Sequence, residues 1–186
     1  MRSYPPTYGA FDQVGSSIRR IVAPNPSPMT FHGTNTYLLG DRQIAVIDPG
    51  PNQDDHLTAI INALPQGAAI KHILVTHAHY DHSELAMRLS QKVGAPIYAF
   101  GDYEAGKSAL MRALSKQSEL GGGEGIDRAF KPDHTLAHLE QILTDEWQIT
   151  AHHTPGHMAN HMCFQYNDIL FTADHVMDWA TSMVSP

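Results

Sequence analysis

The sequence predicts a layered fold that combines a helix–strand half with a half made of strand pairs. Between residues 18 and 100, apolar runs of strand length alternate with segments of helical spacing, the pattern of strands and helices packed in layers. Between residues 141 and 172, the apolar runs come in pairs separated by short turns. Several runs end in segments rich in histidine and aspartate, which places candidate functional residues at strand ends.

The first half begins with a strand at residues 18–22. A hairpin of residues 35–39 and 44–47 follows, with its turn at Gly40. The apolar spacing at residues 54–64 predicts an amphipathic helix. The next elements are a strand at 70–75, a helix at 83–93 that Gly94 ends, and a strand at 96–100.

The second half changes character after residue 100. Residues 103–120 are compatible with a helix, and the glycine-rich segment 121–125 is interpreted as a connection, because no strand precedes it and no phosphate-binding lysine pattern follows. One strand pair is expected at residues 141–143 and 148–152. Another is expected at 162–166 and 169–172, joined by a two-residue turn.

Composition is that of one globular domain. The 186 residues are 42% hydrophobic and 17% charged, enough to build a sizeable core. The net charge of −7 disfavours attraction to nucleic acid or to anionic membranes. The N-terminus has no apolar signal segment, so a cytoplasmic protein without membrane contact is expected. Cys163 is the only cysteine, which excludes an intramolecular disulfide and suggests a buried structural thiol.

The most informative segment, residues 76–82, follows the strand at 70–75 and reads Thr-His-Ala-His-Tyr-Asp-His. If the chain stays extended there, His77 and His79 point to the same face, because side chains alternate along a strand. Asp81 and His82 follow where the chain turns into the next helix. Imidazole nitrogens and carboxylate oxygens are ligands that zinc, iron and manganese accept, so the segment predicts a metal site.

Two later segments place ligand-type residues after strands in the same way. In the first, Pro155 and Gly156 predict a turn that aims His157 away from the end of the preceding strand. In the second, Asp174 and His175 come directly after the last predicted strand. A site assembled from several strand ends is the arrangement that α/β architectures favour.

Together these segments resemble the metallo-β-lactamase superfamily. Asp48 in Asp-Pro-Gly matches the first motif of that superfamily, and residues 77–82 match the second. His157 in Thr-Pro-Gly-His matches the third motif, and Asp174 matches the fourth. The resemblance implies an α+β fold, a four-layer αββα sandwich that lacks its C-terminal part here, with the site at one edge of the two sheets.

The resemblance also implies a centre for two metal ions, with Zn²⁺ expected and iron or manganese as alternatives. Three imidazoles would hold the first ion: His77, His79 and His157. The second ion would be bound by Asp81 and His82, with Asp174 as the bridge, and Asp81 would also act in catalysis by orienting the attacking water. Asp48 would lie outside the ligands and orient them. His175 is a candidate for the same role or for contact with the substrate, because it is next to Asp174.

Three segments narrow the resemblance to the subgroup of lactamase-like hydrolases that includes a mitochondrial single-strand endoribonuclease: residues 25–37, 125–130 and 182–186. Ala173 departs from the usual pattern, which has glycine there. In the superfamily the chain normally continues beyond the position of Pro186 to a last histidine at the second metal. We therefore expect a single domain over residues 1–186 that is incomplete at its C-terminus, either a fragment or a natural short form, and that binds the second ion more weakly.

The expected function is hydrolysis of an ester, thioester or phosphodiester by water that metal ions activate. The acidic charge favours a small ester or thioester, whereas the subgroup resemblance favours single-stranded RNA. Two alternatives stay open: an iron-dependent oxidoreductase of the persulfide-dioxygenase type on the same fold, and a non-catalytic metal-binding or interaction subunit. A sheet edge left uncovered in an incomplete domain also predicts a homodimer.

The remaining histidines are interpreted as structural. His152 or His153 is expected to cap a strand, and His161 to be a satisfied core or rim residue. Surface or loop positions are expected for the others: His32, His56, His72, His134 and His138.

Overall fold

Two β-sheets form the frame of the protein in a computed structural model, which describes residues 5–114 and 125–184. The larger sheet contains β1 (Phe11–Gly15), β2 (Ile18–Val22), β3 (Asn35–Leu39), β4 (Gln43–Ile47), β5 (Ala69–Leu74), β6 (Ile97–Ala99) and β7 (His134–Thr135). The smaller sheet contains β8 (Gln141–Leu143), β9 (Gln148–His153), β10 (Met162–Tyr166) and β11 (Ile169–Phe171). The helices are α1 (Asp54–Asn62), α2 (Tyr80–Ser83), α3 (Ala86–Val93) and α4 (Ala109–Leu114), and a 3₁₀ turn spans Ala173–His175.

The strands of the larger sheet lie side by side in the order of the chain, β1 to β7. The first four pair in antiparallel fashion, as short connections allow. From β4 onward the pairing is parallel, and the longer connections contain the helices. The smaller sheet is antiparallel throughout, in the order β11-β10-β9-β8.

Apolar cores lie on both faces of the larger sheet. On one face Val46 packs with Ile60 of α1 and Leu89 of α3. On the other face Ile47 packs with Phe164 of the smaller sheet. Consecutive residues of β4 thus serve different cores, because strand side chains alternate between faces. The described residues supply one helical layer and both sheets of the sandwich, and the α+β class is confirmed.

The directions of the strands bring four chain segments to one end of the sandwich. Because β4 and β5 are parallel neighbours, their carboxyl ends meet at the same edge of the larger sheet. In the smaller sheet β9 and β11 are both antiparallel to β10, so they also end on one side. The segments that follow these four strands carry the predicted ligands.

Most predicted elements are present, and the differences have local causes. The strand β1 was missed because its sequence, Phe-Asp-Gln-Val-Gly, has no apolar run, and β7 was missed because it has only two residues. The helix predicted at 83–93 is divided into α2 and α3. Of the helix predicted over residues 103–120, only Ala109–Leu114 is helical, and residues 115–124 lie outside the described part. None of the described helices has the length and hydrophobicity needed to cross a membrane.

A carboxylate clamp joins the two sheets at the opposite end of the sandwich. Glu146 Oε2 accepts hydrogen bonds from the backbone N–H groups of Arg42 at 2.9 Å and Gln43 at 3.2 Å, and Oε1 accepts one from Arg42 Nε at 2.8 Å. The neighbouring Trp147 donates its indole N–H to the Gln43 carbonyl. The hydrogen bonds from Arg42 and then Gln43 outweigh burial and lower the pKa of Glu146 from 4.5 to about 2.

Substituting Glu146→Gln is expected to destabilise the protein at pH 7. A carboxylate with a depressed native pKa stabilises the fold above its unfolded pKa, and that contribution is lost as the pH falls through the native pKa. The difference in unfolding free energy between wild type and variant should therefore shrink between about pH 4.5 and 2. Urea unfolding at several pH values measures it, with the exposed neighbour Asp145→Asn as control. A difference that stays constant down to pH 3 would contradict the clamp.

Candidate metal centre

The segment from Thr76 to His82 leaves the larger sheet at the end of β5 and enters α2 at Tyr80. His79 precedes the helix in an extended conformation, with φ −91° and ψ 145°. His77 is fully buried, and the side chain of His82 is 5% exposed. The turn into the helix thus separates the two early histidines of the motif from Asp81 and His82.

Three imidazoles meet at this edge and form the histidine cluster of His77, His79 and His157. His79 Nδ1 lies 3.0 Å from His77 Nε2 and 3.0 Å from His157 Nε2. Nitrogen ligands at 2.0–2.1 Å from a tetrahedral zinc ion are about 3.3 Å apart, so the cluster needs only a small expansion to hold one. Asp174 joins it, with all four ligand atoms within 4.8 Å of one another.

Asp81 and His82 form an adjoining ligand pair. His82 Nε2 lies 3.3 Å from Asp81 Oδ2 and 3.4 Å from Asp174 Oδ1. The other oxygen of Asp174, Oδ2, lies 3.5 Å from His157 Nε2. One carboxylate therefore faces the histidine cluster with one oxygen and the ligand pair with the other, which is the geometry of a bridging ligand.

In two of the candidate ligand histidines, hydrogen bonds fix which ring nitrogen carries the proton. Asp48 accepts the Thr76 hydroxyl proton at 2.7 Å, so the Thr76 oxygen accepts from His77 Nδ1 at 3.0 Å. The Met183 carbonyl accepts from His157 Nδ1 at 2.7 Å. The Nε2 lone pairs of both rings are thereby directed into the cluster, as a metal site requires.

The electrostatics of the two groups differ. Burial, followed by the neighbouring imidazoles, lowers the pKa of His77 well below its ordinary value and that of His79 to about 4. Both rings are therefore neutral at pH 7, the form that binds metal ions. Burial opposes the charge of His82, but Asp81, Asp174 and Asp48 outweigh it and raise its pKa. Carboxylates that hold a proton on His82 would equally hold a divalent cation.

Asp48 lies behind the candidate ligands. Its carboxylate is buried, with Oδ1 accepting the Thr76 N–H at 2.8 Å and Oδ2 lying 2.8 Å from His82 Nδ1. Its backbone has a φ of 51°, which costs energy in a residue other than glycine. The Thr36 hydroxyl donates to the Asp48 carbonyl at 2.7 Å and helps to hold that conformation.

His175 was expected to orient the ligands, and the structure places it against the loop that carries His157. Its ring is 5.7 Å from that of His161 and lies beside Gly156. Ala173, the residue that departs from the superfamily pattern, has a φ of 41°. Glycine adopts this conformation without strain, which explains why glycine is usual before the aspartate.

Sequence reasoning missed several buried partners of the site. His161 is fully buried and its ring is 5.1 Å from His77; Nδ1 is paired with the Thr154 hydroxyl, but Nε2 has no partner in the described part of the chain. The prediction of a satisfied residue is therefore wrong for that atom. His56 was predicted on the surface and is 1% exposed, with Nε2 2.8 Å from the Thr36 hydroxyl. Its spacing from the buried Ala59 and Ile60 on α1 was the available signal.

Comparison with known proteins gives relatives over nearly the whole chain. The "Beta-lactamase-like protein 2 homolog" of Drosophila melanogaster is 31% identical over 94% of this chain and 57% of its own length. The "Lactamase-like protein adaB" of Aspergillus niger is 31% identical, covering 93% and 48%. An "Atrochrysone carboxyl ACP thioesterase" of Passalora fulva is 28% identical, covering 92% and 46%. The chain thus spans about half the length of the curated relatives it matches.

Solved structures share the fold, and a family profile identifies the chain. A beta-lactamase domain protein from Burkholderia ambifaria superposes with a TM-score of 0.73 at 19% identity, over 98% of this chain and 62% of that one. The B3 metallo-beta-lactamase BLEG-1 gives 0.64 at 23% identity, over 89% and 76%. The profile described as Metallo-beta-lactamase superfamily matches residues 29–186. The chain belongs to the metallo-β-lactamase superfamily.

Proposed function

We propose that this chain is a hydrolase that uses two Zn²⁺ ions to cleave a carboxylic ester or thioester. The observation that carries the proposal is the double face of Asp174, 3.5 Å from the histidine cluster and 3.4 Å from the ligand pair. A relative named as an acyl carrier protein thioesterase supports the thioester among the hydrolysable bonds.

The donor set fits zinc. Neutral imidazoles and carboxylates are ordinary ligands of this ion, and three imidazoles leave room at the first ion for water or substrate. The same donors accept iron and manganese, so the metal is a testable part of the proposal. The directed Nε2 lone pairs of His77 and His157 are the feature of this chain that the ion would use.

When bound, the zinc ions would lower the pKa of water and polarise the oxygen of the bond under attack. Asp81 has Oδ2 engaged by the Thr34 hydroxyl and near His82, so Oδ1 is the oxygen that can accept a hydrogen bond from the attacking water. Asp48 holds the His82 ring by its Nδ1 and keeps Nε2 turned toward Asp81. These contacts orient the groups before the substrate arrives, which is the larger part of what a protein adds to such a reaction.

The surroundings of the site favour an ester or thioester substrate over a nucleic acid. A cavity of about 810 Å³ contains the ligand pair and Asp174 and extends over β1, β11 and residues 176–179. Phe31 and Trp179 line it as a stacked pair, 5.5 Å between centroids, and each is more than 40% exposed. Arg20, the only lysine or arginine among the described lining residues, is paired with Asp12. RNA needs cations along its backbone, so this wall supports an ester or thioester.

Metal content is the first prediction for this site. The chain reconstituted with zinc and desalted should hold close to two zinc ions, and Asp174→Ala should hold one or fewer, because the bridge is lost. Elemental analysis against protein concentration measures this, with the exposed Asp168→Asn as control. One iron per chain after expression in iron-replete medium would favour oxygen chemistry. Failure to bind metal would contradict the centre itself.

Catalysis is the second prediction of this site. The two-zinc protein should release thiol from small acyl thioesters, and Asp81→Asn should lower kcat by about 10²-fold or more, since it removes a negative ligand and proton acceptor. Thiol release is followed colorimetrically, and Asp168→Asn should keep the wild-type rate. Cleavage of a single-stranded RNA oligonucleotide with no thioesterase activity would contradict the proposed substrate class.

The stacked pair of Phe31 and Trp179 yields a third prediction for this site. Trp179→Ala should raise KM for an aryl thioester about tenfold, the equivalent of about 1.4 kcal/mol of lost apolar and stacking contact. KM for an acetyl thioester should change much less, because its acyl group is too short to use the ring. Steady-state kinetics with both substrates measure the difference. Equal changes in the two KM values would show that Trp179 does not contact the acyl group.

A further inference from the structure

We propose that Thr34 is a positioning residue for the second metal ion, because its hydroxyl fixes the carboxylate of Asp81. The inference rests on the proposed two-zinc centre and assigns a task to residues 25–34, none of which lies in the ligand motifs. None of the candidate ligands lies in this segment, but its last residue, Thr34, contacts Oδ2 of Asp81.

The contact is short and partly buried. Thr34 Oγ1 donates to Asp81 Oδ2 at 2.6 Å, and the same oxygen lies 3.3 Å from His82 Nε2. Thr34 is only 7% exposed and the Asp81 side chain is 28% exposed, so water can reach the carboxylate but has little access from the threonine side. Because an ionised carboxylate can only accept, the threonine must donate.

Asn25 fixes the direction of that hydroxyl. Its side-chain oxygen accepts the Thr34 N–H at 3.0 Å, and its side-chain nitrogen donates to Thr34 Oγ1 at 3.3 Å. A hydroxyl that accepts from Asn25 has its own proton free for Asp81. The side-chain amide of Asn25 thus fixes both the backbone of Thr34 and the orientation of its hydroxyl group.

The backbone around Thr34 is shaped to bring it there. Gly33 has a φ of 122°, and a Cβ at that position would lie 2.0 Å from the Ala23 carbonyl oxygen, so only glycine fits. Phe31 has a φ of 55°, a costly conformation for an aromatic residue. The Ala23 N–H donates to the Thr34 carbonyl at 2.9 Å and closes the loop. Strain of this kind persists where the surrounding structure holds it for a function.

Three of the other ligands have supporting partners outside the ligand set, so the effect of Thr34 is expected to be local to Asp81. His77 and His157 are held by Thr76 and the Met183 carbonyl, and His82 is held by Asp48. Loss of the Thr34 hydroxyl leaves only His82 Nε2, 3.3 Å from Oδ2, to hold the carboxylate of Asp81. The second ion should lose affinity while the first ion keeps it.

Zinc titration of the metal-stripped full chain tests the inference. Binding is followed by competition with a chromophoric zinc chelator for wild type, Thr34→Val, Thr34→Ser and the control Thr150→Val, which lies in the smaller sheet. In Thr34→Val the Kd of the second zinc should rise about 10–100-fold, the usual effect of losing a partner of a ligand, with the first zinc unchanged within about twofold. Thr34→Ser keeps the hydroxyl and should bind within about threefold of wild type.

Each contrary result has its own meaning. A wild type that binds no second zinc contradicts the proposed centre, whereas two tight ions in both wild type and Thr34→Val overturn only the role of Thr34. Equal weakening of both ions, or a serine variant as weak as valine, also overturns it, because the effect would then be structural. Valine is nearly isosteric with threonine, and thermal unfolding checks the fold. If Thr34→Val does not fold, Asn25→Ala decides, with a rise of about 3–10-fold expected for the second zinc alone.

Discussion

The buried carboxylate of Asp48 is the group on which the arrangement of the metal centre depends. It receives the N–H and hydroxyl of Thr76 and lies 2.8 Å from His82 Nδ1, so it joins the end of β4 to the end of β5 and to α2. A buried carboxylate without partners would cost several kcal/mol, and these hydrogen bonds offset that cost. Through Thr76 it directs the lone pair of His77, and directly it directs that of His82. One charge thus orients a member of each ligand group.

The centre also depends on how the two sheets pack. His77, His79, Asp81 and His82 come from the larger sheet, whereas His157 and Asp174 follow strands of the smaller one. An ion could be held by ligands from both sheets only if the sheets kept their relative position to within a fraction of an ångström. The core of Ile47, Phe164 and their neighbours fixes this position, and the Glu146 clamp adds a second tie at the far end. We therefore expect stability and the proposed metal affinity to be linked in this fold, since a sheet displacement would affect both.

Local spacing explains what the sequence could predict. The ligand-type residues of the segment 76–82 lie close together in sequence, and the strand before them is a clear apolar run. The motif and its place at a strand end therefore follow from short-range rules. Thr34, His56 and the Met183 carbonyl meet the site only through contacts between residues at least twenty positions apart. Such contacts leave no periodic signal in one sequence. The left-handed conformation of Ala173 could not be predicted either, because alanine, unlike glycine, does not indicate a positive φ.

The central claim is that two ions share Asp174, and anomalous diffraction from crystals of the zinc-loaded chain tests it most directly. Data on both sides of the zinc absorption edge should show two peaks about 3.5–4 Å apart, the separation usual for paired catalytic ions. One peak should lie among His77, His79 and His157 and the other beside Asp81 and His82, with an Asp174 oxygen facing each. A single peak at the histidine cluster, with Asp174 turned away from it at full zinc loading, would contradict the account.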